Sequence, residues 1–433
     1  MTAPASRDPA VRADLLAAVE ASADGLLAAC TELLAIPSVG GTPGEVAAQA
    51  WLADRWRAEG LEVDHWPIDV AATTAEPEFP GAEVERTEAW GLVARSPGTG
   101  GGPVLLFDGH SDVVPPGDGA AWTGDPFAPR REVRDGRDSL VARGACDMKC
   151  GLVAAWFAVR ALRTVGIRLC GDVLLASVVG EEDGGLGTYA MLRRGVRADL
   201  CVLPEPTSLD VIPANGGALT FRLRVPGSAI HAARRAEGVS AVEKFVPVLA
   251  ALQDLEARRN AEVDPVMSRW PVAYPLSVGT VHAGDWASTV PDLLVAEGRL
   301  GVALGESVAQ ARAALEEAVA RACAADPWLA EHPVEVEWWG GQFASGRTAA
   351  GHPLIDAVRS AHAEASGGAS EAQVYGAPYG SDLRLLTGLG GIPTVQYGPG
   401  DTAVAHAADE YVAVDDVLVA TRALALLALD SCA

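Results

Sequence analysis

Four segments of the chain share one pattern, in which a short apolar run leads into polar residues and glycine. The runs are Val104–Phe107, Asp172–Val179, Leu200–Leu203 and Thr394–Tyr397, and they lead into DGHSDVV, GEEDGGLG, PEPT and GPGDTAVAH. Runs that are apolar at almost every position are typical of strands buried on both faces of a parallel sheet. Helical patterns lie between them, for example at 151–165 and 186–194. The alternation predicts an α/β domain with a mostly parallel sheet and helices on both faces.

The N-terminal region adds helices and short strands to this domain. The apolar stripe over 10–35 predicts one amphipathic helix, and 44–59 predicts another that ends at Gly60. Leu61–Trp66 and Trp90–Arg95 are strand-like runs.

The segment 216–343 has a different pattern. Leu219–Val225 alternates between apolar and polar positions, which is typical of a half-exposed strand. The order over the segment is strand, helix, two strands, helix and strand, which predicts a small α+β domain inserted into the larger one. We therefore expect a larger domain made of 1–215 and 344–433, with 216–343 as the inserted lid and dimerisation domain.

Composition and charge limit the classes of partner. The chain has 433 residues, and 57 Asp and Glu against 33 Lys and Arg give a formal net charge of −24. This excess of acid argues against a nucleic acid or an anionic membrane surface as partner. The sequence lacks a stretch of the roughly 18 apolar residues that a membrane span needs and shows no signal-peptide pattern, so we expect a cytoplasmic protein.

Polar residues with metal-binding chemistry gather where the apolar runs end. Six of them follow the four runs or precede the helix at 151–165: His110, Asp147, Glu181, Glu182, Glu205 and His406. Ligands of α/β sheets bind beyond the carboxyl ends of the strands, so these side chains are expected at one site. Two imidazoles and several carboxylates favour two divalent ions, zinc in preference, with Asp147 as the natural bridging ligand.

The adjacent acids Glu181 and Glu182 suggest two roles. Two carboxylates at the end of one buried strand repel each other, and cations relieve that repulsion when one acid becomes a ligand. The other acid is then free to act as a general base. The residues alone leave open which acid has which role.

Eight motifs occur in the order typical of one enzyme family. They are GHSDVV, ARGACDMKCG, GEEDGG, PEPT, IHAARRAEGVSAVEK, WASTVPD, GSDLR and GPG followed by AHAADEYV. Together they resemble the metal-dependent amidohydrolase and exopeptidase family of acetylornithine deacetylase, succinyl-diaminopimelate desuccinylase and carboxypeptidase G. The resemblance covers about residue 15 to the end of the chain.

The resemblance implies a role for each residue of the cluster. It implies one bridging ligand, Asp147, and four further metal ligands: His110, Glu182, Glu205 and His406. Glu181 matches the general base, and Asp112 matches a residue that orients a ligand.

His231 of the segment IHAARR matches a lid histidine of the family. In dimeric relatives that histidine reaches the active site of the other subunit and donates to the oxyanion. The resemblance therefore implies a homodimer formed through the lid, with His231 as a catalytic residue that acts in trans.

The stretches RAEGVSAVEK and EGRLGV are most similar to the acetylornithine deacetylase group and its formyl-aminopyrimidine deformylase relatives. The expected reaction removes an acetyl or formyl group from an N-acyl amino acid or similar small amine, with zinc, or else cobalt or manganese. Arg384 and Arg299 are the candidates for binding a substrate carboxylate, because the guanidinium fork fits that group.

Several alternatives remain open. A dipeptidase, a carboxypeptidase or an N-carbamoyl amidohydrolase would use the same metal centre, and a non-catalytic metal-binding homologue is a remote alternative. Two positions depart from the family pattern: Cys150 replaces a glycine and Ser288 replaces a lid asparagine. Neither position is a metal ligand.

Overall fold

The computed structural model describes residues 8–433. The helices are α1 (Pro9–Ala21), α2 (Ala23–Leu34), α3 (Pro43–Ala58), α4 (Val70–Thr74), α5 (Cys150–Thr164), α6 (Leu186–Arg193), α7 (Ala241–Arg259), α8 (Val308–Ala324), α9 (Pro327–Glu331), α10 (Pro353–Ala365), α11 (Leu383–Gly388) and α12 (Val414–Cys432). The strands are β1 (Glu62–Pro67), β2 (Trp90–Ser96), β3 (Leu105–His110), β4 (Arg130–Arg134), β5 (Arg137–Val141), β6 (Val173–Val178), β7 (Leu200–Leu203), β8 (Ala214–Asn215), β9 (Gly217–Pro226), β10 (Leu276–Ala283), β11 (Leu293–Val302), β12 (Glu335–Phe343), β13 (Gly346–Arg347), β14 (Thr394–Gln396) and β15 (Tyr411–Ala413).

A six-stranded sheet with the order β1-β2-β6-β3-β7-β14 forms the centre of the α/β part. The neighbours β6, β3, β7 and β14 are parallel, whereas β2 is antiparallel to both β1 and β6. Every residue of β3 and β6 is buried. The prediction of a mostly parallel sheet with strands covered on both faces is therefore confirmed.

Alternate residues of the central strands contribute to two separate cores. Leu105 and Phe107 pack with residues of α1, α2, α3, α5, α10 and α12. Leu106 and Leu174 pack instead with residues of α6 and α11. Because successive side chains of a strand point to opposite faces, helices cover both faces of the sheet as predicted.

The first helical segment is divided in two. The prediction of a single helix over 10–35 is wrong at Ser22, where α1 ends and α2 follows. The Ser22 hydroxyl and backbone N–H both donate to the Val19 carbonyl, at 2.8 and 3.0 Å. Such a side-chain bond competes with the regular helical pattern. The second predicted helix is confirmed as α3, and Gly60 follows it with a φ of 75°.

Residues 217–343 contain a four-stranded antiparallel sheet with the order β10-β11-β9-β12. The chain order of strand, helix, two strands, helix and strand agrees with the predicted pattern, with α9 as a short addition. Buried residues of α7 and α8 pack against Leu219, Phe221 and Leu223 of β9. We call the segment 216–343 the lid.

The short helices α4, α9 and α11 were not predicted from the sequence. Neither were the longer helix α12, the three-stranded sheet β15-β5-β4 or the short pair β13-β8. α12 has buried residues around most of its circumference and packs against α5 and α10, so it lacks the one-sided pattern that marks an amphipathic helix. None of the helices in residues 8–433 is both long and apolar enough to cross a membrane.

Candidate metal centre

The predicted ligands follow four adjacent parallel strands. His110 is the last residue of β3, and Glu181 and Glu182 come soon after β6. Glu205 follows β7, and His406 lies in the loop after β14. Because β6, β3, β7 and β14 are parallel neighbours, their carboxyl ends meet at one edge of the sheet, which is where α/β folds bind ligands.

Asp147 reaches this edge from the irregular helical turn Ala145–Lys149, which precedes α5. The backbone N–H groups of Cys146 and Asp147 donate to Glu410 Oε1 at 2.8 and 3.0 Å. Glu410 in turn accepts from Arg143 Nη1 at 2.5 Å, and both of these side chains are buried. The buried Arg143–Glu410 pair thus fixes the turn that carries Asp147.

The two oxygens of Asp147 face different histidines. Asp147 Oδ1 lies 3.0 Å from His110 Nε2, and Oδ2 lies 3.5 Å from His406 Nε2. Each histidine has a further acid of its own: Glu205 Oε2 is 4.0 Å from His110 Nε2, and Glu182 Oε2 is 3.1 Å from His406 Nε2. Ligand atoms of His110, Asp147 and Glu182 all lie within 4.8 Å of one another.

Burial and mutual repulsion disfavour the ionised form of the acids in this cluster unless positive charge lies nearby. Burial raises the pKa of Glu181 and of Glu205 well above the usual value for glutamate, and the charges of nearby carboxylates add to the effect. Burial, with the charge of Asp147, also raises the pKa of Glu182. The buried Glu182 Oε1 has no hydrogen-bond partner. A carboxylate oxygen in this condition suits a cation.

The histidines supply part of that positive charge. Hydrogen bonds to Asp147 and Glu182 raise the pKa of His406 to about 11. Burial opposes ionisation of Asp147, but hydrogen bonds from His110 and His406 outweigh burial and lower its pKa. Two histidines and two glutamates arranged around the shared Asp147 could hold two divalent ions, which would replace the protons on the imidazoles.

Asp112 lies behind the cluster and contacts two of its parts. His110 Nδ1 is 2.9 Å from the backbone carbonyl oxygen of Asp112, whereas the Asp112 carboxylate is 3.8 Å from the same nitrogen. That carboxylate accepts from the backbone N–H groups of Glu181 and Glu182, at 3.4 and 3.3 Å. Asp112 therefore orients the His110 imidazole through its main chain. Through its side chain it orients the turn that carries Glu181 and Glu182, which we call the glutamate turn.

A family model described as peptidase family M20/M25/M40 matches residues 106–430. The chain belongs to this family. It is therefore a hydrolase that acts on amide bonds. The matched range contains all six residues of the cluster and the whole lid.

Two relatives and one solved structure illustrate this membership. The N-formyl-4-amino-5-aminomethyl-2-methylpyrimidine deformylase of Bacillus subtilis (strain 168) is 27% identical over 407 residues, 86% of this chain and 86% of the relative. A succinyl-diaminopimelate desuccinylase of Polynucleobacter necessarius subsp. necessarius is 30% identical over 400 residues, 89% of this chain and 94% of the relative. A dinuclear metal-binding peptidase of the M20 family from Bacillus subtilis has the same fold, with a TM-score of 0.58 and 17% identity over 95% of this chain and 98% of that one.

The M20/M25/M40 chain has a cavity of about 530 Å³ beside the cluster. Asp147 and Glu181 line it together with lid residues that include Ser277, Arg299 and Phe343. The residue Glu181 is only 8% exposed, yet no hydrogen bond within residues 8–433 reaches its carboxylate. The cavity thus joins a free, buried carboxylate to a surface formed by the lid.

The two arginines predicted to bind substrate have different environments. Arg299 is 48% exposed, lines the cavity and lies 3.1 Å from Glu83. Arg384 is buried and does not line the cavity. Its Nη2 donates to the Gly184 carbonyl at 2.7 Å, and its guanidinium lies 3.9 Å from the ring centroid of Phe343. The structure therefore brings Arg299, but not Arg384, to the cavity.

His231 lies apart from the cluster of its own chain. It is exposed, and its Nδ1 accepts from the Ala233 backbone N–H at 3.1 Å. His231 is absent from the described residues that line the cavity. Ser288, the second departure from the family pattern, is its neighbour across the lid, where its carbonyl accepts from the Ala232 N–H at 2.8 Å.

The departure at Cys150 falls where a side chain has room. Cys150 is fully buried beside Cys30, whose hydrogen bond raises the pKa of the Cys150 thiol, as does burial. The next residue, Gly151, is tightly confined, since an added Cβ would lie 1.9 Å from the Pro204 carbonyl oxygen. The close approach of Pro204, which precedes Glu205, therefore requires glycine at position 151. The chain retains this glycine.

Sequence reasoning missed a second buried network beside the glutamate turn. Arg86 lies 3.0 Å from Glu45 and 2.7 Å from Asp183, and all three side chains are at most 8% exposed. Asp183 directly follows Glu182, so this network holds the turn that carries both glutamates. A single arginine within the acidic stretch AEPEFPGAEVERTE is the only local signal of it.

Proposed function

We propose that this chain removes a formyl or acetyl group from a small amine, using two divalent ions held by the cluster. The position of Asp147 carries the proposal. One carboxylate with its two oxygens directed at two histidines, 3.0 and 3.5 Å away, is suited to bridging a pair of ions. His110 with Glu205 would complete one ion's ligands, and His406 with Glu182 the other's.

Zinc is the preferred metal in this proposal, with cobalt or manganese as substitutes. The donors are imidazole nitrogens and carboxylate oxygens without a thiolate, a set that zinc accepts. Bound divalent ions would polarise the acyl oxygen and lower the pKa of a water molecule towards about 7. The M20 structure described as dinuclear supports the count of two.

Glu181 is proposed as the general base. It accepts a proton from the attacking water and then returns that proton to the nitrogen of the leaving amine. Burial raises the pKa of Glu181, which makes its carboxylate a stronger base than an ordinary glutamate. Asp112 and Arg86 keep the turn of Glu181 in place.

A small acyl group agrees with both the cavity and the relatives. About 530 Å³ accommodates a small molecule, not a long peptide. The two relatives are named for the removal of a formyl group and a succinyl group. We place formyl and acetyl first for this chain, as its lid motifs indicate.

The lid is proposed as the dimerisation domain, with boundaries 1–215, 216–343 and 344–433 for the three parts of the chain. β10 is an edge strand of the lid sheet, and Val281 on it is 49% exposed. An exposed edge of this kind can pair with a second copy. His231 of one subunit would then donate to the oxyanion in the other, which agrees with its absence from the cavity of its own chain.

A substrate panel tests the proposed activity. Zinc-loaded enzyme is assayed on N-formyl, N-acetyl and N-carbamoyl derivatives of the same amines, together with dipeptides. The proposal expects the highest kcat/KM on a formyl or acetyl derivative. Higher kcat/KM on dipeptides or carbamoyl compounds would contradict the proposed acyl group, and no hydrolysis of any amide would contradict the proposed reaction.

Mixed dimers test the role of His231. Glu181→Ala and His231→Ala homodimers should both be nearly inactive. Refolded together in equal amounts, about half of the dimers should be mixed and should restore roughly a quarter of the wild-type activity, because each has one intact site. Mixed dimers as inactive as their parents would place His231 outside the partner's site.

A further inference from the structure

The lid arginine that lines the cavity is already paired with an acid. Arg299 Nη2 donates to Glu83 Oε1 at 3.1 Å, and both residues line the cavity that contains Asp147 and Glu181. Among the described residues that line this cavity, Arg299 is the one Arg or Lys. A carboxylate that entered the cavity would therefore meet an arginine whose charge Glu83 offsets.

Contacts on two sides fix the position of Glu83. The Thr220 hydroxyl of β9 donates to the same Oε1 at 2.9 Å. A Cβ at Gly340 of β12 would lie 2.5 Å from Glu83 Cγ, so the lid packs closely against this side chain. On the other side, the Glu83 backbone N–H donates to Asp183 Oδ2 at 3.1 Å, next to the glutamate turn of the metal centre.

The second carboxylate oxygen of Glu83 remains available. Within residues 8–433, hydrogen bonds reach Oε1 only, from Thr220 and Arg299. A carboxylate accepts hydrogen bonds from N–H donors and repels another carboxylate. Glu83 is neither a proposed metal ligand nor the proposed general base. Its carboxylate lines the cavity, where a substrate can contact it.

We propose that Glu83 determines specificity by selecting a leaving amine that carries N–H donors and no carboxylate. The inference rests on the proposed amide hydrolysis and names its substrate class. Glu83 offsets the charge of Arg299 and offers Oε2 to an amino, amide or ammonium group of the amine. A leaving group with a carboxylate is disfavoured, because it meets Glu83 beside the arginine.

Three acetamides with the same carbon chain separate the possibilities: 4-acetamidobutanoate, 4-acetamidobutanamide and N-acetyl-1,4-diaminobutane. We expect wild-type kcat/KM to be about tenfold lower for the butanoate than for the better of the other two. The effect is modest because Arg299 and Glu83 are 48% and 28% exposed, so water screens their charges. The neutral and cationic members show which kind of donor the site prefers.

Substitutions on the two sides of the ion pair should move selectivity in opposite directions. Glu83→Gln should raise the relative kcat/KM of the butanoate about tenfold, because Arg299 is then unopposed. Arg299→Gln should lower it further. Glu85→Gln is the matched control, since Glu85 is an exposed acid in the same segment and lies outside the cavity.

Binding of the amine products repeats the comparison without turnover. Calorimetry with 4-aminobutanoate, 4-aminobutanamide and 1,4-diaminobutane should give the weakest affinity for the carboxylate in the wild type and a gain for it in Glu83→Gln. A wild type that prefers the carboxylate, or a Glu83→Gln ratio within twofold of wild type, overturns the inference. If the acetamides are not hydrolysed but the products bind in the expected order, the reaction is wrong and the selectivity stands.

Discussion

In the six-stranded sheet the central strands β3 and β6 are buried along their whole length, whereas in the lid sheet β9 alternates between buried and partly exposed residues. Both faces of β3 and β6 are covered, and the polar residues of the metal cluster lie where these strands end. The lid sheet carries charge along its open face, as in Arg222 of β9, which pairs with Glu297 of β11 and Glu337 of β12.

The two settings give charge different consequences. Arg143 and Glu410, which hold the turn of Asp147, are 1% and 0% exposed. In the ion-pair ladder of the lid, Arg222, Glu297 and Glu337 are 26%, 30% and 44% exposed. A buried pair is costly to break because one charge is left without a partner, whereas an exposed pair is screened by water. Substitutions at the sheet edge should therefore have much larger effects than substitutions on the lid face.

Removal of the proposed base should have the largest effect. Glu181→Gln should keep its metal and lose about 10² to 10⁴ in kcat, because general base catalysis contributes a factor of that size. Glu182→Gln, which changes the adjacent residue in the same way, should instead lose metal. Elemental analysis and steady-state kinetics on both variants decide the matter. A Glu181→Gln protein that lacks metal, beside a Glu182→Gln protein that retains it, would mean that the two roles are reversed.

Breaking the buried pair should come next. Arg143→Met leaves the carboxylate of Glu410 buried without its cation and should lower the free energy of unfolding by about 3–5 kcal/mol. Denaturant unfolding in the presence of saturating zinc measures the change. A loss below about 1 kcal/mol would show that the pair is not needed to hold the turn.

The smallest effect is expected on the lid face. Arg222→Met removes both ion pairs of the ladder and should cost about 0–1 kcal/mol, because exposed pairs contribute little. The same unfolding experiment serves as the matched comparison for Arg143→Met. A loss as large as that of the buried pair would contradict the contrast between the two sheets.

The sequence predicts those parts of the molecule that have a local pattern. Apolar runs on every position identify β3, β6, β7 and β14, and the polar residues after them identify the edge where the cluster forms. The alternation along β9 and the order of elements after it identify the lid sheet. The residues alone leave open whether Glu181 or Glu182 is the general base. That assignment comes from the resemblance to the family.

Features that depend on distant pairings were not predicted. Arg143 pairs with Glu410, and Arg86 pairs with Glu45 and Asp183. Because these partners are far apart in sequence, no local pattern marks either network. Arg384 was a candidate because a guanidinium fits a carboxylate, but in the fold it is buried and contacts Gly184 and Phe343 instead. The partner of Arg299, Glu83, lies between the strand-like runs 61–66 and 90–95, where the sequence predicts no helix or strand.

The number of ions that Asp147 holds tests the central claim most directly. Elemental analysis of zinc-loaded protein should give about two ions per chain for the wild type. Asp147→Asn should bind well below two and be inactive, because a bridging ligand serves both ions. Asp138→Asn is the control, since that carboxylate is 48% exposed and pairs with Arg131. Full occupancy in Asp147→Asn would contradict the account.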